Sequence, residues 1–303
     1  MRFITCESYK RAEVIRWHER IKRRYTPPEG IRLTVFLPCS AKKPYSSSRS
    51  HKRFIKVIKS SAKDKVGAIH EVILTSPLGL VPRELEGVYP ANSYDIPVTG
   101  EWLETEKRFC RELLQDYLKK AKVKAIAYVD GALREICEEV GIEVVASLSE
   151  LGNRIKEEVS NFPPVNRDEL NIVRKICDFQ FGLGAEKFLI RDGCYKRGRQ
   201  IFYGKEQIAT INKHGYLSLT LRGGELLKEF GRYIVEVSFF PNTDNIFCVG
   251  IERADHRIRP NDEVIVVYND TVVGVGRSVL CGDELERSTR GLGVVLRHKK
   301  CAQ

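Results

Sequence analysis

The residues best suited to chemistry in this 303-residue chain are crowded between Pro38 and His51. A short apolar run from Leu33 to Leu37 comes directly before them and predicts a buried strand, which Pro38 ends. Cys39 would therefore lie at the carboxyl end of that strand. In open α/β sheets ligands bind at this edge, because the loops there are free to carry reactive groups. The sequence thus predicts an active site around Cys39.

Cys39 has neighbours that would support nucleophilic chemistry. Nearby cations would favour its thiolate, and a histidine such as His51 can move protons near neutral pH. A polar loop around a structural cysteine is the alternative. The neighbouring serines would either cap the helix predicted to begin near His51 or contact a ligand. The basic side chains also suit a phosphate backbone, which makes them candidate RNA contacts: Lys42, Arg49, Lys52 and Arg53.

Composition and charge narrow the class of protein. The first 30 residues are too charged for a secretory signal and no long apolar run exists, so we expect a cytoplasmic protein without a membrane segment. Nine cysteines without a CxxC pair fit a reducing compartment and offer no zinc-site spacing. Residues 1–70 hold 18 Lys and Arg against 5 Asp and Glu, within a net charge of +11. Such a local surplus favours a polyanionic partner, most simply nucleic acid.

Strands that alternate with helices predict an α/β domain with a parallel sheet and helices on both faces. Cys39, Ser76 and Asp130 each follow a predicted strand and would therefore meet at one edge. Asp130 would either orient His51 or only cap the helix after it. The segments 76–86 and 89–100 indicate long ordered loops, which we expect to form the walls of a pocket.

Linkers and composition divide the remainder of the chain. In the small α+β region Arg197 and Arg199 flank Gly198, where they would contact RNA phosphates or only occupy a solvated hairpin tip. The last region is rich in short strands and predicts a β-barrel-like binding module. The expected segments are a basic helical segment (1–30), an α/β catalytic domain (31–163), a small α+β RNA-binding domain (164–232) and a C-terminal domain (233–303).

The segment 38–51 resembles the signature of the archaeosine synthases of archaeal tRNA modification, relatives of the archaeal tRNA-guanine transglycosylases. The matching residues are Pro38, Cys39, Ser40, Lys43, Pro44, Tyr45, Ser48, Ser50 and His51. The last 70 or so residues, with 259–264 and the Gly-rich strand to Arg277, resemble the PUA RNA-binding domain, which makes Arg277 an expected RNA contact. Residues 168–232 resemble the domain that precedes PUA in both groups. Longer members begin with a transglycosylase-like barrel that this chain lacks, so we expect it to be supplied separately or dispensed with.

The resemblance implies a reaction on tRNA. Free lysine would be transferred onto the nitrile of 7-cyano-7-deazaguanine at position 15, and a radical-SAM partner would then split the adduct. No cofactor or metal is expected. Cys39 would add to the nitrile first and be displaced by lysine, with His51 and Asp130 moving protons; direct attack by lysine is the alternative. The expected substrate contacts are Ser40, Lys43, Tyr45, Ser48, Ser50 and Ser76.

A second hypothesis keeps the RNA contacts without the reaction. In it the chain is a non-catalytic tRNA-binding subunit of a split tRNA-guanine transglycosylase, and its C-terminal half would look the same. The loop from Cys39 to His51 is crowded with reactive side chains. A protein that only binds RNA does not need them, so the loop favours the enzyme.

Overall fold

The structure, a computed structural model, describes residues 7–93, 102–165 and 168–301. The chain forms two compact units, one up to Phe179 and one from Gln180 onward. Most of the second predicted pocket wall, residues 94–100, lies outside the described residues. Within the described ranges, no helix is both long and apolar enough to cross a membrane.

The first unit is built on a five-stranded sheet. Its strands are β1 (Leu33–Pro38), β2 (Ile69–Thr75), β3 (Gly79–Pro82), β4 (Lys124–Ala127) and β5 (Glu143–Val144), arranged in the order β3-β2-β1-β4-β5. The neighbours among β2, β1, β4 and β5 pair in parallel, which confirms the predicted parallel sheet. The prediction of a loop over 76–86 was wrong in part, because β3 pairs antiparallel with β2 and Leu80 and Val81 are fully buried.

Helices cover both faces of this sheet. The helices of this unit are α1 (Ala12–Arg24), α2 (Arg49–Ala62), α3 (Glu104–Ala121), α4 (Gly131–Glu139) and α5 (Leu148–Val159), and α6 (Glu169–Phe181) continues from it into the second unit. Alternate residues of a strand point to opposite faces. Leu33, Val35 and Leu37 therefore share a core with the apolar sides of α2 and α5. Thr34 and Phe36 face the other way, where Phe36 meets the ring of Tyr117 on α3 at 5.6 Å.

The basic segment before β1 also packs into the core of this unit. On α1, Val14, Trp17 and Ile21 are buried, although the helix carries many cations. The indole of Trp17 donates a hydrogen bond to the carbonyl of Leu80 at 3.1 Å. Trp17 is thus a core residue rather than a base-stacking one.

The second unit contains two sheets. Its elements are α7 (Glu186–Leu189), β6 (Cys194–Arg197), β7 (Gln200–Tyr203), β8 (Glu206–Ile211), β9 (Leu217–Leu219), α8 (Leu221–Lys228), β10 (Ile234–Val237), β11 (Asn245–Phe247), β12 (Ile251–Ala254), β13 (Glu263–Tyr268), β14 (Thr271–Ser278), α9 (Gly282–Arg287) and β15 (Leu292–Lys299). Strands β6 to β9 form an antiparallel sheet in sequence order. The second sheet has the order β11-β15-β14-β13-β10-β12.

Local turn chemistry explains the long hairpin of the second unit. Asn269 and Asp270 connect β13 to β14, and both have positive φ, 46° and 60°. Asn and Asp tolerate this left-handed conformation, which two-residue hairpin turns require.

Candidate active site

The loop after β1 enters α2 through a defined helix cap. One turn of 3-10 helix, Tyr45–Ser47, precedes Ser48. The hydroxyl of Ser48 accepts a hydrogen bond from the backbone N–H of His51 at 3.2 Å, and it lies 3.2 Å from the hydroxyl of Ser50. Ser48 is therefore the N-cap of α2. The cap fixes the direction in which the loop returns past the end of β1.

Cys39 is a half-buried free thiol at the end of β1, and Lys43 lies on the same loop, near enough for a charge on Cys39 to affect its pKa. Lys43 Nζ donates to the carbonyl of Ser40 at 2.9 Å and lies 5.1 Å from the centroid of the Tyr45 ring. Burial lowers the pKa of Lys43, while the negative charge that the Cys39 side chain can carry acts in the opposite direction. The loop thus carries a thiol and an amine of lowered pKa within range of each other's charge.

His51 is completely buried, and both of its ring nitrogens are engaged. Nε2 lies 3.0 Å from the carbonyl oxygen of Pro38, to which it donates, and Nδ1 accepts from Nη2 of Arg83 at 3.0 Å. Burial and the charge of Arg83 lower the pKa of His51 to about 4. The ring is therefore neutral at physiological pH, and it ties the end of β1 to α2.

The Arg83 guanidinium connects His51 to two carboxylates, those of Glu71 and Glu86. Its Nη2 lies 2.8 Å from a carboxylate oxygen of Glu71, and its Nη1 donates to Glu86 at 2.9 Å. Glu86 in turn accepts the backbone N–H of Ser46 at 2.9 Å. Three pieces of backbone, from β2, the residues after β3 and the Cys39 loop, are thereby held by one guanidinium.

Sequence reasoning missed Arg83, Glu71 and Glu86. Arg83 and Glu86 lay in a segment predicted to be a loop, where charges are ordinary. A signal did exist at Glu71, because a carboxylate inside the apolar run 69–75 must find a partner when it is buried.

A second polar network lies on the opposite face of β2. The His70 ring lies 3.1 Å from a carboxylate oxygen of Glu84, and the hydroxyl of Tyr25 donates to Glu84 at 2.6 Å. Burial favours the neutral acid, but the charge and hydrogen bond of His70 and the hydroxyl of Tyr25 outweigh it and lower the pKa of Glu84 to about 2. On the other side of the ring, the hydroxyl of Tyr117 lies 2.5 Å from Nδ1 of His70 and 3.0 Å from Thr34.

The other predicted residues of the edge are placed by the strand order. Ser76 follows β2, and its hydroxyl donates to Glu106 at 2.5 Å. Asp130 follows the parallel strand β4, so it lies at the same edge of the sheet as Cys39 and Ser76. Its side chain is exposed and forms no cap bond with α4. Because Pro38 and Arg83 occupy both nitrogens of His51, Asp130 does not orient that ring.

The side chains predicted to contact RNA are exposed in both units. Lys42, Arg49, Lys52 and Arg53 lie on the surface beside or after the Cys39 loop. In the second unit Arg197 and Arg199 flank the tip of the β6–β7 hairpin, with Nε of Arg199 bonded to the carbonyl of Ile211 at 2.6 Å, and Arg277 is exposed on β14. Among the described residues, no group of three or more His, Cys, Asp or Glu side chains is placed to hold a metal ion.

Three family models match successive parts of the chain. Residues 14–161 match a domain of unknown function, DUF5591. Residues 171–233 match the patch-forming domain C2 of tRNA-guanine transglycosylase, and residues 237–300 match the PUA domain. The PUA match confirms the predicted identity of the C-terminal domain.

Curated relatives match nearly the whole chain. The archaeosine synthase subunit alpha of Methanosarcina acetivorans is 40% identical over 98% of this chain and 51% of its own length. The protein of the same name from Thermococcus kodakarensis is 36% identical over 98% of this chain and 56% of its own. The tRNA-guanine(15) transglycosylase of Methanothermobacter thermautotrophicus is 31% identical over 96% of this chain and 43% of its own. The chain thus spans about half the length of these relatives.

A solved structure shares the fold. The crystal structure of a protein of unknown function superposes with a TM-score of 0.70 at 27% identity, covering 94% of this chain and 100% of that one.

Replacing Arg83 by Met should destabilise the protein by about 3 kcal/mol or more, because the buried Glu71 loses its guanidinium partner. Urea unfolding measures this loss. Changing Glu71 to Leu in the same variant should recover part of it. Arg111→Met, which breaks the exposed pair with Glu139, is the matched control and should cost at most about 1 kcal/mol. Equal losses of unfolding free energy for Arg83→Met and the control would contradict a structural role for Arg83.

The low pKa of His51 should make stability depend on pH. The folded pKa of about 4 lies below the usual 6.5, so the stabilisation is present above pH 6.5 and is lost as the pH falls toward 4. Urea midpoints between neutral pH and pH 4 measure this loss. His51→Gln, which keeps a donor and an acceptor but cannot be protonated, should show a smaller decline over this range. Parallel curves for the two proteins would rule out the titration of His51 as the cause.

Proposed function

The chain belongs to the archaeosine synthase family, of whose curated members it spans about half, and on that premise we propose that it modifies tRNA in the formation of archaeosine. The observation that carries the proposal is the loop at the carboxyl edge of the sheet, which presents Cys39 and the Lys43 ammonium together. This pairing favours an enzyme over a chain that only binds RNA.

The proposed reaction is transfer of lysine onto the nitrile of 7-cyano-7-deazaguanine at position 15 of tRNA. The thiolate of Cys39 adds to the nitrile carbon, forming a C–S bond while one C–N π bond breaks. The nitrogen takes up a proton, which gives a thioimidate. The ε-amine of the incoming lysine then forms a C–N bond at that carbon, the C–S bond breaks and the thiolate is released. The product is an amidine, and every proton taken up is returned by the attacking amine.

We assign Lys43 as the proton donor for the nitrile nitrogen. Burial lowers the pKa of its ammonium, which makes proton transfer near neutral pH easier. His51 was the donor expected from the sequence, but both of its nitrogens are engaged, so we assign it a positioning role. Asp130, exposed at the same edge, suits a contact with the ammonium group of the incoming lysine. The proposed contacts to the modified base or the lysine are Ser40, Tyr45, Ser48, Ser50 and Ser76.

The exposed cations are proposed as tRNA contacts. Beside the Cys39 loop they are Lys42, Arg49, Lys52 and Arg53, and in the second unit they are Arg197, Arg199 and Arg277. The C2 and PUA matches support RNA binding by the second unit. Relatives are named as alpha subunits, so we include a separate barrel subunit and a radical-SAM enzyme among the proposed partners.

One set of comparisons favours a second candidate function. The C2 match and the 31% identity to a tRNA-guanine(15) transglycosylase suit a tRNA-binding subunit of a split transglycosylase. In that case the Cys39 loop would take no part in chemistry.

Incubation of the purified chain with labelled lysine and tRNA carrying 7-cyano-7-deazaguanine tests the function. Nucleoside mass spectrometry should reveal a lysine adduct. If none forms with the chain alone, the assay is repeated with the candidate barrel subunit. Tight tRNA binding with no adduct in either assay would favour the binding subunit.

Cys39→Ala should reduce transfer by about three orders of magnitude or more, because the group that forms the covalent intermediate is removed. Affinity for the same tRNA, measured by filter binding, should stay unchanged. Cys281→Ala, which removes a half-buried thiol of the second unit, is the matched control and should retain activity. Near wild-type transfer by Cys39→Ala would exclude covalent catalysis and leave direct attack by lysine.

A further inference from the structure

The groove between α2 and α5 extends away from the Cys39 loop and shares Arg53 with the cations described above. Its volume is about 460 Å³, and its lining residues are Arg53, Lys56, Val57, Ser61, Leu148, Ser149, Gly152, Asn153 and Lys156. We propose that this groove, together with the outer face of α2, is a binding site for the phosphate backbone of RNA. The proposal rests on the proposed function in taking tRNA as the RNA concerned and Cys39 as the place that its target base reaches.

The outer face of α2 is a continuous row of positive charge. Its members follow one another at i, i+3, i+4, i+7 and i+10, a spacing that places all of them on one side of a helix. All are exposed, and α2 contains no acidic residue. At 1.5 Å per residue the row extends roughly 15 Å from the Cys39 loop. The members are Arg49, Lys52, Arg53, Lys56 and Lys59.

These cations differ from others of the same unit in lacking acidic partners. On α3, Lys107 pairs with Glu104 at 3.2 Å and Lys120 with Asp116 at 2.7 Å. On α5, Arg154 bonds Glu143 at 2.7 Å. Within the described ranges, no member of the α2 row forms an ion pair, and Lys156 across the groove forms none either. Their positive charge therefore stays free to attract an anion.

Most of this arrangement is unfavourable for the helix itself, and only Lys59, in the last turn, has a favourable interaction with the helix dipole. Each cation of the row has a like charge three or four residues away, which weakens a helix. Arg49 and Lys52 also lie in the first turn, where the helix dipole disfavours positive charge. A sequence that keeps such unfavourable local interactions usually does so at a functional site.

The groove offers cationic hydrogen-bond donors, and its lining contains no carboxylate that would repel a phosphate. Arg53 and Lys56 come from α2 and Lys156 from α5, and none of the residues that line the described groove is Asp or Glu. Gly152 lets the two helices approach closely, since a Cβ there would lie 3.0 Å from the hydroxyl of Ser61. Phosphate oxygens accept from cationic and hydroxyl donors of this kind.

The length of the row favours a nucleic-acid backbone over a single small anion as the ligand. A single small anion would use one end of it, whereas a nucleic-acid backbone repeats its charge along the whole length. The row begins at Arg49, beside the loop that carries Cys39. An RNA strand whose target base reached Cys39 would therefore continue along α2 and across the groove.

The test compares two triple variants of the full chain by their affinity for an unmodified tRNA transcript at several salt concentrations. The first variant is Lys56→Gln, Lys59→Gln and Lys156→Gln. The control is Lys22→Gln, Lys107→Gln and Lys120→Gln, which removes the same charge from paired lysines elsewhere in the unit. The first variant should weaken binding at least about tenfold and lower the salt slope by about two units, since each phosphate contact contributes roughly 0.7 to 0.9. The control should change both much less.

Equal effects of the two variants would overturn the proposal. The proposal would also be overturned if the first variant bound tRNA normally but no longer bound vesicles of phosphatidylserine. That result would assign the row to a membrane surface. Urea midpoints of both variants identify any loss that comes from unfolding. Lysine transfer is measured separately on the wild-type chain. Absence of transfer both with the chain alone and with the candidate barrel subunit would contradict the proposed function, while the difference in salt slope would still decide whether the groove binds RNA.

Discussion

The guanidinium of Arg83 fixes the candidate active site to the sheet. A guanidinium carries its donors in a rigid planar fork, so the groups that accept from it are held at set directions. Here those groups are Glu71 on β2, the ring of His51 on α2, and Glu86, which also holds the N–H of Ser46. The same His51 ring donates to Pro38, the residue before Cys39. The position of the thiol therefore depends on a charge that it does not contact.

The edge strand β3 makes this arrangement possible. Neighbouring residues of β2 point to opposite faces, His70 to one and Glu71 to the other. The residues that follow β3 supply one partner to each, since Arg83 pairs with Glu71 and Glu84 with His70. Burial alone would make both carboxylates costly, so each needs its partner. The two pairs hold the end of β3 against β2 on both faces of the sheet.

Charge has two separate uses in the first unit. The buried charges are paired, and because little solvent reaches them, salt screens them weakly. They give the Cys39 loop a preorganised shape, which a reaction needs if donors are to be in place before charge develops. The exposed cations of α2 lack acidic partners within the described structure, so they attract a polyanion over a longer range. The buried pairs position the reactive side chains, and the exposed cations of α2 position the RNA substrate.

The sequence by itself determined the parallel sheet and the placement of Cys39, Ser76 and Asp130 at one edge, because both follow from local periodicity. The motif from Pro38 to His51 also predicted the family, which the relatives confirm. Only the tertiary structure decided that 79–82 is a strand and that His51 is neutral with both nitrogens engaged. Both depend on groups far apart in the chain: β3 is a strand because β2 pairs with it, and the pKa of His51 is low because the folded chain buries the ring and places Arg83 against it. Periodicity along a chain cannot report which distant charges burial will bring together.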